Sequence, residues 1–198
     1  MSSGSIHRGC RQARPNGAIV LVVGPSGAGK DSVIDFARRM LESNARFVFA
    51  RRLITRAVDG TEDHEACSHQ AFAAAEAAGS LALSWRAHGT AYGIRNSTVR
   101  EIDSGHIVVA NVSRRVIAAG VRLAPRALVA HVTASPDVLA RRLQSRARET
   151  AADIAGRLAR EAPRLDIGAP MLVIDNDGPI EKAGAVFLAA LIELVGSQ

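Results

Sequence analysis

AIVLVVGPSGAGKDS, residues 18–32, is the stretch that decides the fold of this chain. Its first six residues, Ala18 to Val23, are all apolar, as expected of a strand that is buried on both faces of a sheet. A turn of small residues follows, and a helical pattern then runs from Lys30 to Ser43. A strand, a glycine-rich turn and a helix that begins with lysine predict a loop that binds phosphate groups. The loop residues are Gly24, Pro25, Ser26, Gly27, Ala28, Gly29 and Lys30.

The chemistry of this loop follows from its residue types. Its glycines allow backbone N–H groups to turn inward and surround the phosphates, and the helix N-terminus adds its partial positive charge. Lys30 is then placed to reach the β- and γ-phosphates of a nucleoside triphosphate such as ATP. Lysine occurs elsewhere only at Lys182, in a chain that otherwise uses arginine, which indicates that the slender ammonium group matters at Lys30. The alternative is a glycine-rich turn that carries a lysine by chance.

The residue after the lysine departs from the usual pattern. Serine or threonine normally stands there and binds Mg²⁺ through its hydroxyl group, whereas this chain has Asp31, followed by Ser32. A carboxylate is a good Mg²⁺ ligand, directly or through water, although it also repels the triphosphate. The sequence therefore predicts that Asp31 binds the metal. Two alternatives remain: Ser32 is the ligand, or Asp31 is an acidic residue favoured by the helix dipole.

Length and composition limit the class of protein. The chain has 198 residues, of which 47% are hydrophobic, enough for a single domain with a sizeable core. We expect this domain at residues 17–198 and a flexible polar tail at residues 1–16, which lack the apolar segment of a signal peptide. No apolar run reaches the length that crosses a bilayer. Two cysteines, Cys10 and Cys67, give neither a disulfide framework nor zinc spacing, and this favours the cytoplasm.

The charge of the chain is basic, with a formal net charge of +6 and a pI of about 10.5. This balance is compatible with nucleic-acid binding, but the arginines are scattered and no basic run is interleaved with aromatic residues. Pairs occur at Arg51-Arg52 and Arg141-Arg142. We therefore expect a small phosphorylated partner, and neither nucleic acid nor a membrane.

Short β-rich runs alternate with helical stretches beyond the loop, which is typical of an α/β fold with a parallel sheet flanked by helices. The pattern predicts strands at 47–53, 81–86, 107–112, 127–133 and 171–174. It predicts helices at 70–78, 136–147, 151–162 and 180–195.

The loop and three later segments resemble the guanylate kinase group of phosphate-loop kinases, from about Ala18 to the C-terminus. Ile54-Thr55-Arg56 is similar to that group's Thr-Thr-Arg, whose arginine holds the acceptor phosphate. Tyr92-Gly93-Ile94 is similar to its Tyr-Gly-Thr, whose tyrosine touches the same phosphate. The resemblance implies an acceptor-binding region at about 47–95 and a lid at about 141–160. It also assigns catalytic lid arginines, namely Arg142, Arg146 and Arg157.

Some positions depart from the guanylate kinase pattern. The acidic residue that reads guanine in that family corresponds to Leu83 here, and His64 replaces a tyrosine. A pocket without the carboxylate loses the hydrogen bonds that select the base. These departures resemble the ribose 1,5-bisphosphate phosphokinases of phosphonate degradation, as do the Gly-Lys-Asp-Ser end of the loop, Glu-Asp-His-Glu-Ala at 62–66 and Asn-Val-Ser-Arg at 111–114.

That resemblance implies a reaction and a set of substrate-binding residues. The γ-phosphoryl group of ATP moves to the 1-phosphate of ribose 1,5-bisphosphate, and 5-phosphoribosyl 1-diphosphate (PRPP) is formed. The acceptor phosphate is already mostly ionised at neutral pH, so the chemistry consists of positioning and neutralising charge rather than of general base catalysis. The residues expected to bind the acceptor are Arg52, Arg56, Glu62, His64, Glu65 and Tyr92.

Several alternatives stay open from the sequence alone. Residues 62–65 also suit a polar loop that only maintains solubility. Other phosphate-loop kinases end a central strand with aspartate near the metal, whereas the strand at 107–110 is followed by Asn111, so that acid is replaced by Asp31 or Asn111 is simply a strand-end cap. A nucleoside monophosphate kinase and a non-enzymatic nucleotide-binding module are the rival functions. A homodimer is neither indicated nor excluded.

Overall fold

The structure is a computed structural model that describes residues 17–58, 63–144 and 168–196. Its strands and helices alternate along the chain in the manner of an α/β fold. The strands are β1 (Ala18–Val23), β2 (Phe47–Phe49), β3 (Arg52–Ile54), β4 (His64–Ala66), β5 (Leu81–Ala87), β6 (Thr90–Arg95), β7 (Ile107–Asn111), β8 (Ala127–Thr133) and β9 (Met171–Asp175). The helices are α1 (Lys30–Met40), α2 (His69–Ala77), α3 (Asn96–Val99), α4 (Ile117–Val121), α5 (Pro136–Gln144) and α6 (Ile180–Gly196), with 3₁₀ turns at Arg100–Ser104 and Arg114–Val116.

A five-stranded parallel sheet forms the centre of the molecule, in the order β2-β7-β1-β8-β9. Strand β1 lies in the middle and every one of its residues is buried. One face packs against α1 and α6, and the other packs against the second sheet and α4. All five strands end at the same edge because they are parallel, and the phosphate loop leaves the sheet at this edge.

A second, four-stranded sheet has the order β4-β3-β6-β5 and is antiparallel except between β3 and β4. The sequence pattern did not predict β4 as a strand. The prediction of a single strand over 47–53 was wrong: the segment is divided between the two sheets, β2 pairing with β7 and β3 with β6. The chain changes sheets at Ala50 and Arg51. The Ala50 amide still donates to Val109 at 2.9 Å, so the change begins after it.

Strand β6 and the short helices α3 and α4 were not predicted either, whereas the remaining described elements match the predictions within a few residues. The first helix ends at Met40 rather than Ser43, and the helix expected at 70–78 starts one residue earlier, where the Ser68 hydroxyl caps it by accepting from the Ala71 amide at 3.1 Å. The expected helix at 136–147 is described as far as Gln144. The expected helix at 151–162 and most of the lid lie outside the described residues. Within the described ranges, no helix combines the length and apolarity needed to cross a membrane.

Helices α1 and α6 approach each other closely where Gly184 faces Phe36. A Cβ atom at Gly184 would lie 2.4 Å from Cδ1 of the Phe36 ring, well inside van der Waals contact. A side chain at this position would separate the two helices that support the phosphate loop from below.

We expect Gly184→Val to lower the free energy of unfolding by about 2 kcal/mol, since overpacking a tight contact typically costs 1–3 kcal/mol. Urea denaturation followed by circular dichroism measures the loss. Gly196→Val, in the same helix, is the matched control because open space surrounds that residue. Equal stability losses in the two variants would show that the contact with Phe36 is not limiting.

Candidate active site

The phosphate loop has the backbone geometry that its glycines make accessible. Gly24, Gly27 and Gly29 have positive φ angles of 146°, 84° and 85°. A Cβ at Gly24 would lie 2.1 Å from the carbonyl oxygen of Val132 on the neighbouring strand, so this position also lacks room for a side chain. The loop therefore turns sharply at the carboxyl end of the sheet and presents the first amides of α1 to an anion.

The ammonium group of Lys30 lies over its own loop. Nζ donates to the carbonyl oxygens of Gly24 at 3.0 Å and of Pro25 at 2.9 Å. The charge is thus placed at the mouth of the cradle that the loop amides form. This is the position from which a lysine reaches the outer phosphates of a bound triphosphate.

Asp31 connects three separate elements at the sheet edge. Its Oδ1 accepts a hydrogen bond from Nδ2 of Asn111, at the end of β7, at 2.6 Å. The same oxygen accepts from Nη2 of Arg52, on β3, at 3.2 Å. Burial raises the pKa of the Asp31 carboxyl group, but the charge of Arg52 and the hydrogen bond from Asn111 outweigh it, and the pKa lies below its usual value. The neighbouring charge of Lys30 acts in the same direction, so the carboxylate is ionised at neutral pH.

The residues at this point suit Mg²⁺ as it is usually bound in kinases. The described ranges contain no group of three or more His, Cys, Asp or Glu side chains that could hold a metal. Mg²⁺ bound with a nucleotide needs only one or two carboxylates, because phosphate oxygens and waters complete its octahedron. The ionised carboxylate of Asp31 has the chemistry of such a ligand, and the adjacent Ser32 is exposed at the start of α1.

Arg52 is a nearly buried cation between the two sheets. Its side chain is 11% exposed, against 42% for its partner Asp31. The guanidinium carbon lies 6.0 Å from the centre of the Tyr92 ring, which stacks on Trp85 with centroids 5.5 Å apart. Asp31 and the aromatic pair thus hold Arg52 from two sides. Leu83, two residues before Trp85, is 3% exposed and belongs to the core between the sheets.

The Thr55–Arg56 segment is fixed by hydrogen bonds from neighbouring strands. The Thr55 hydroxyl accepts from the Ala91 amide at 2.9 Å, and Nε2 of His64 lies 3.2 Å from the Arg56 carbonyl oxygen. His64 is only 2% exposed, so this contact makes it a support for the turn that carries Arg56. An open cavity of about 530 Å³ adjoins the turn and is lined by Thr55, Arg56, Ala57, Ala66, Cys67, Ser68 and His69.

Glu65 forms an ion pair with Arg95 across the second sheet. Nε of Arg95 donates to Oε2 of Glu65 at 2.9 Å, and a second hydrogen bond makes the pair bidentate. The hydrogen bonds from Arg95 lower the pKa of Glu65, against a smaller opposing effect of burial. The carboxylate thus links β4 to β6, although the sequence analysis expected it to bind the substrate. Glu62, Arg146 and Arg157 lie outside the described residues.

Arg142 reaches the back of the phosphate loop from α5. Its Nη2 donates to the carbonyl oxygen of Asn176 at 2.8 Å, and Nη1 lies 3.5 Å from the carbonyl oxygen of Gly27. Of the three predicted lid arginines, Arg142 is the one within the described residues. The structure brings it against the phosphate loop, next to Asn176.

Comparison with known proteins identifies the family. No family model matches the chain. The ribose 1,5-bisphosphate phosphokinase PhnN of Acidiphilium cryptum is 50% identical over 177 residues, covering 89% of this chain and 93% of that protein. The same enzyme of Brucella melitensis is 45% identical over 181 residues, covering 91% and 94%. The chain belongs to the ribose 1,5-bisphosphate phosphokinase family.

Solved structures place this phosphokinase in the guanylate kinase fold. A guanylate kinase from Anaplasma phagocytophilum superposes with a TM-score of 0.63 over 89% of this chain and 85% of that one, at 16% identity. At that identity the likeness concerns the fold alone. The resemblance noted in the sequence is confirmed at both levels, the phosphokinase family and the kinase fold.

Two polar residues of this phosphokinase escaped the sequence analysis. Asn176, directly after β9, is buried and donates from Nδ2 to the carbonyl oxygen of Ala28 in the phosphate loop, at 2.7 Å. His131 lies within β8, where burial lowers the pKa of its imidazole and the charges of Arg114 and Lys30 lower it further. Asn176 had a usable signal, since it follows a parallel strand at the edge where the loop lies. His131 had none, because an isolated polar residue within an apolar run gives no indication of its neighbours.

The ionised state of Asp31 predicts a pH dependence of stability. A carboxyl group whose pKa is lower in the folded state stabilises the protein above its unfolded pKa, and this contribution is lost as the pH falls through the folded pKa. We expect Asp31→Asn to be less stable than the wild type at pH 7, by up to about 1 kcal/mol, because the Asp31 side chain is 42% exposed and solvent screens its charge. The difference should shrink as the pH is lowered from 5 towards 3.

Urea denaturation at a series of pH values measures this difference. Arg52→Gln supplies the control background, because the ion pair is already broken there and Asp31→Asn should cost less. A stability difference that is independent of pH, or equal in both backgrounds, would contradict a role for the charge of Asp31.

Proposed function

We propose that this phosphokinase transfers the γ-phosphoryl group of ATP to the 1-phosphate of ribose 1,5-bisphosphate, giving PRPP and ADP. An oxygen of the acceptor phosphate forms the new bond to the γ-phosphorus, and the bond from that phosphorus to the β-bridging oxygen breaks. The observation that carries the proposal is the ion pair between Asp31 and Arg52. It joins the end of the phosphate loop to the second sheet, which carries the arginines that we propose bind the acceptor phosphate. Family membership supplies the identity of the acceptor.

The reaction requires charge neutralisation more than proton transfer. The second pKa of a phosphate is about 6, so the attacking oxygen is mostly deprotonated at neutral pH. The obstacle is repulsion between the triphosphate and a bisphosphate. Cations that stand in place before the substrates meet reduce this repulsion without reorganising, which is how phosphoryl transfer is usually accelerated.

Each cation has a place in this scheme. Lys30 binds the β- and γ-phosphates from within the loop, and Mg²⁺, when bound at Asp31, neutralises charge on the same oxygens. Arg52 and Arg56 bind the acceptor phosphate, with the Tyr92 hydroxyl as a further donor. Arg142 secures the loop from behind. As direct ligands we also propose the residues outside the described ranges, namely Glu62 for ribose hydroxyls and Arg146 and Arg157 for the triphosphate.

The acceptor pocket favours a sugar phosphate over a nucleotide. Leu83 occupies the place of the acidic residue that reads guanine in the resembling family, and it is buried in the core with Trp85 and Ile94. An apolar side chain leaves the polar edge of a base without hydrogen bonds, which costs several kcal/mol in a buried site. A substrate without a base incurs no such cost.

The setting of the enzyme is also a proposal. We place it in the cytoplasm, which suits a chain whose two cysteines follow no disulfide pattern. We also propose that it does not bind nucleic acid, because its arginines are scattered along the chain and several of them form local ion pairs. Arg51 with Asp63 and Arg95 with Glu65 are examples.

The first test is ADP release from Mg·ATP with ribose 1,5-bisphosphate or GMP as the acceptor, measured in a coupled assay. We expect turnover with the bisphosphate, identified as PRPP by mass spectrometry, and at least 100-fold less with GMP, in line with the loss of a polar contact to the base. Lys30→Ala should lower the rate by at least 100-fold, since an electrostatic contact to the transferred group is removed. Turnover with GMP alone would reject the proposed acceptor.

A second test asks whether Asp31 is the metal-binding acid. The 2.6 Å hydrogen bond from Asn111 shows that the two positions are adjacent, so a carboxylate at 111 can occupy nearly the same space. We expect Asp31→Ser to weaken both turnover and the Mg²⁺-dependent part of ATP affinity by about tenfold or more, and Asp31→Ser with Asn111→Asp to recover both in part. Calorimetric titration of ATP with and without Mg²⁺ measures the second quantity.

Asn111→Asp alone is the control for this exchange. It adds a second carboxylate beside Asp31, and like charges at this distance should weaken ATP binding. A double variant no better than Asp31→Ser would exclude the exchange and leave Ser32 as the candidate ligand.

A further inference from the structure

Asn176, directly after the last strand of the sheet, takes part in three hydrogen bonds, one of which reaches the phosphate loop. Its backbone amide donates to the carbonyl oxygen of Thr133 at 2.9 Å, which fixes the residue at the end of β8 and β9. Its side-chain Nδ2 donates to the carbonyl oxygen of Ala28 at 2.7 Å. Its own carbonyl oxygen accepts from Arg142 at 2.8 Å. The side chain is 3% exposed, so its position is determined by packing as well as by these bonds.

The contact with Ala28 determines how the next amide is oriented. A trans peptide is planar, and its C=O and N–H groups point in opposite directions. Because Nδ2 of Asn176 holds the Ala28 carbonyl towards β9, the N–H of Gly29 in the same peptide is directed away from β9. This N–H belongs to the N-cap of α1 and is one of the amides that a phosphate-binding loop offers to its ligand.

The contact between Asn176 and Ala28 requires that residue 29 have no side chain. Its φ angle is 85°, and a Cβ atom there would lie 2.3 Å from Nδ2 of Asn176. The loop backbone and the asparagine amide therefore lie as close as glycine allows. The close fit restricts rotation of the Ala28–Gly29 peptide in either direction.

We infer that Asn176 is a positioning residue that holds the Ala28–Gly29 peptide with its N–H directed at the triphosphate before the nucleotide binds. If this peptide could rotate in the free protein, part of the binding free energy of the nucleotide would be spent on fixing its orientation. A peptide that is already fixed avoids this cost. The inference rests on the proposed function only in taking a nucleoside triphosphate as the phosphoryl donor. It is independent of the sugar acceptor.

A direct contact with the nucleotide is the competing explanation for this asparagine. Oδ1 of Asn176 is buried and accepts no hydrogen bond within the described ranges, so a donor on the base of ATP is a conceivable partner. The two explanations differ in one respect. Holding the loop affects any ligand that binds through its phosphates, whereas a contact with the base affects only ligands that have a base.

Inorganic tripolyphosphate separates the two because it carries the phosphates without a base. We expect Asn176→Ala to raise the Kd of ATP and of tripolyphosphate by the same factor, about tenfold, as measured by isothermal titration calorimetry at fixed Mg²⁺. The contact of Arg142 is with a backbone oxygen, so the substitution leaves it in place. Val173→Ala, which shortens an exposed side chain of the same strand, is the control and should change neither Kd.

Two other results would overturn the inference. A loss for ATP alone would assign Asn176 to the base, and no loss for either ligand would show that the loop is fixed without it; each result overturns the inference. If Asn176→Ala lowers the melting temperature so far that binding cannot be measured, Asn176→Ser, which keeps a polar atom but cannot span the contact, is titrated instead. Turnover with ribose 1,5-bisphosphate enters none of these measurements, so a different acceptor would leave their meaning unchanged.

Discussion

The hydrogen bonds that the carboxylate of Asp31 accepts join the two sheets at the phosphate loop. Asp31 lies in the first turn of α1, yet its hydrogen bonds come from Asn111 in the parallel sheet and Arg52 in the second sheet. Arg52 is nearly buried, so losing this ion pair would be costly, because a buried charge needs partners that compensate for its lost hydration. The same carboxylate stands next to Lys30. The first turn of α1, the parallel sheet and the second sheet are thereby linked through one oxygen atom.

The charges of this cluster explain why an acid is tolerated beside a loop that binds a polyanion. A lone carboxylate next to Lys30 would weaken triphosphate binding by repulsion. Here Arg52 and Lys30 are both within electrostatic reach and lower the pKa of Asp31, so the cluster carries a net positive charge before any metal is bound. A serine in the same place would bind a metal but would not hold Arg52. Aspartate at this position therefore gives the arginine on β3 an ionic partner that serine could not provide.

The sequence was sufficient to predict the parts of the fold that local patterns determine. Strand β1, the loop and α1 were found because an apolar run, three glycines and an amphipathic helix are contiguous in the chain. The second sheet was only partly found: β3 and β4 have three residues each, too short for a period-two pattern to stand out, and β6 was not predicted either. The strands at 47–49 and 52–54 look like one run in the sequence. They are separate because they pair with different strands, β7 and β6, which lie far away along the chain.

The same distinction applies to the site. Residues within motifs, such as Lys30, Asp31 and Arg56, were identified from their neighbours in the sequence. His64 and Glu65 were also identified, but the structure shows them holding other residues: His64 contacts the Arg56 carbonyl, and Glu65 pairs with Arg95. A sequence motif indicates that a residue matters without telling whether it contacts the ligand or supports a residue that does.

The proposed selection of a sugar phosphate rests on what the second sheet places in its core. On β5, Leu83 and Trp85 lie on one face, and Trp85 stacks on Tyr92 of β6 with the ring planes 4° apart. This apolar wall supports the Tyr92 ring from one side while Arg52 lies near it on β3. A carboxylate at position 83 would need a partner to be buried there, whereas the apolar side chain of Leu83 packs in this core without one. The packing that supports the Tyr92 ring therefore excludes an unpartnered acid at the position that reads guanine in the resembling family.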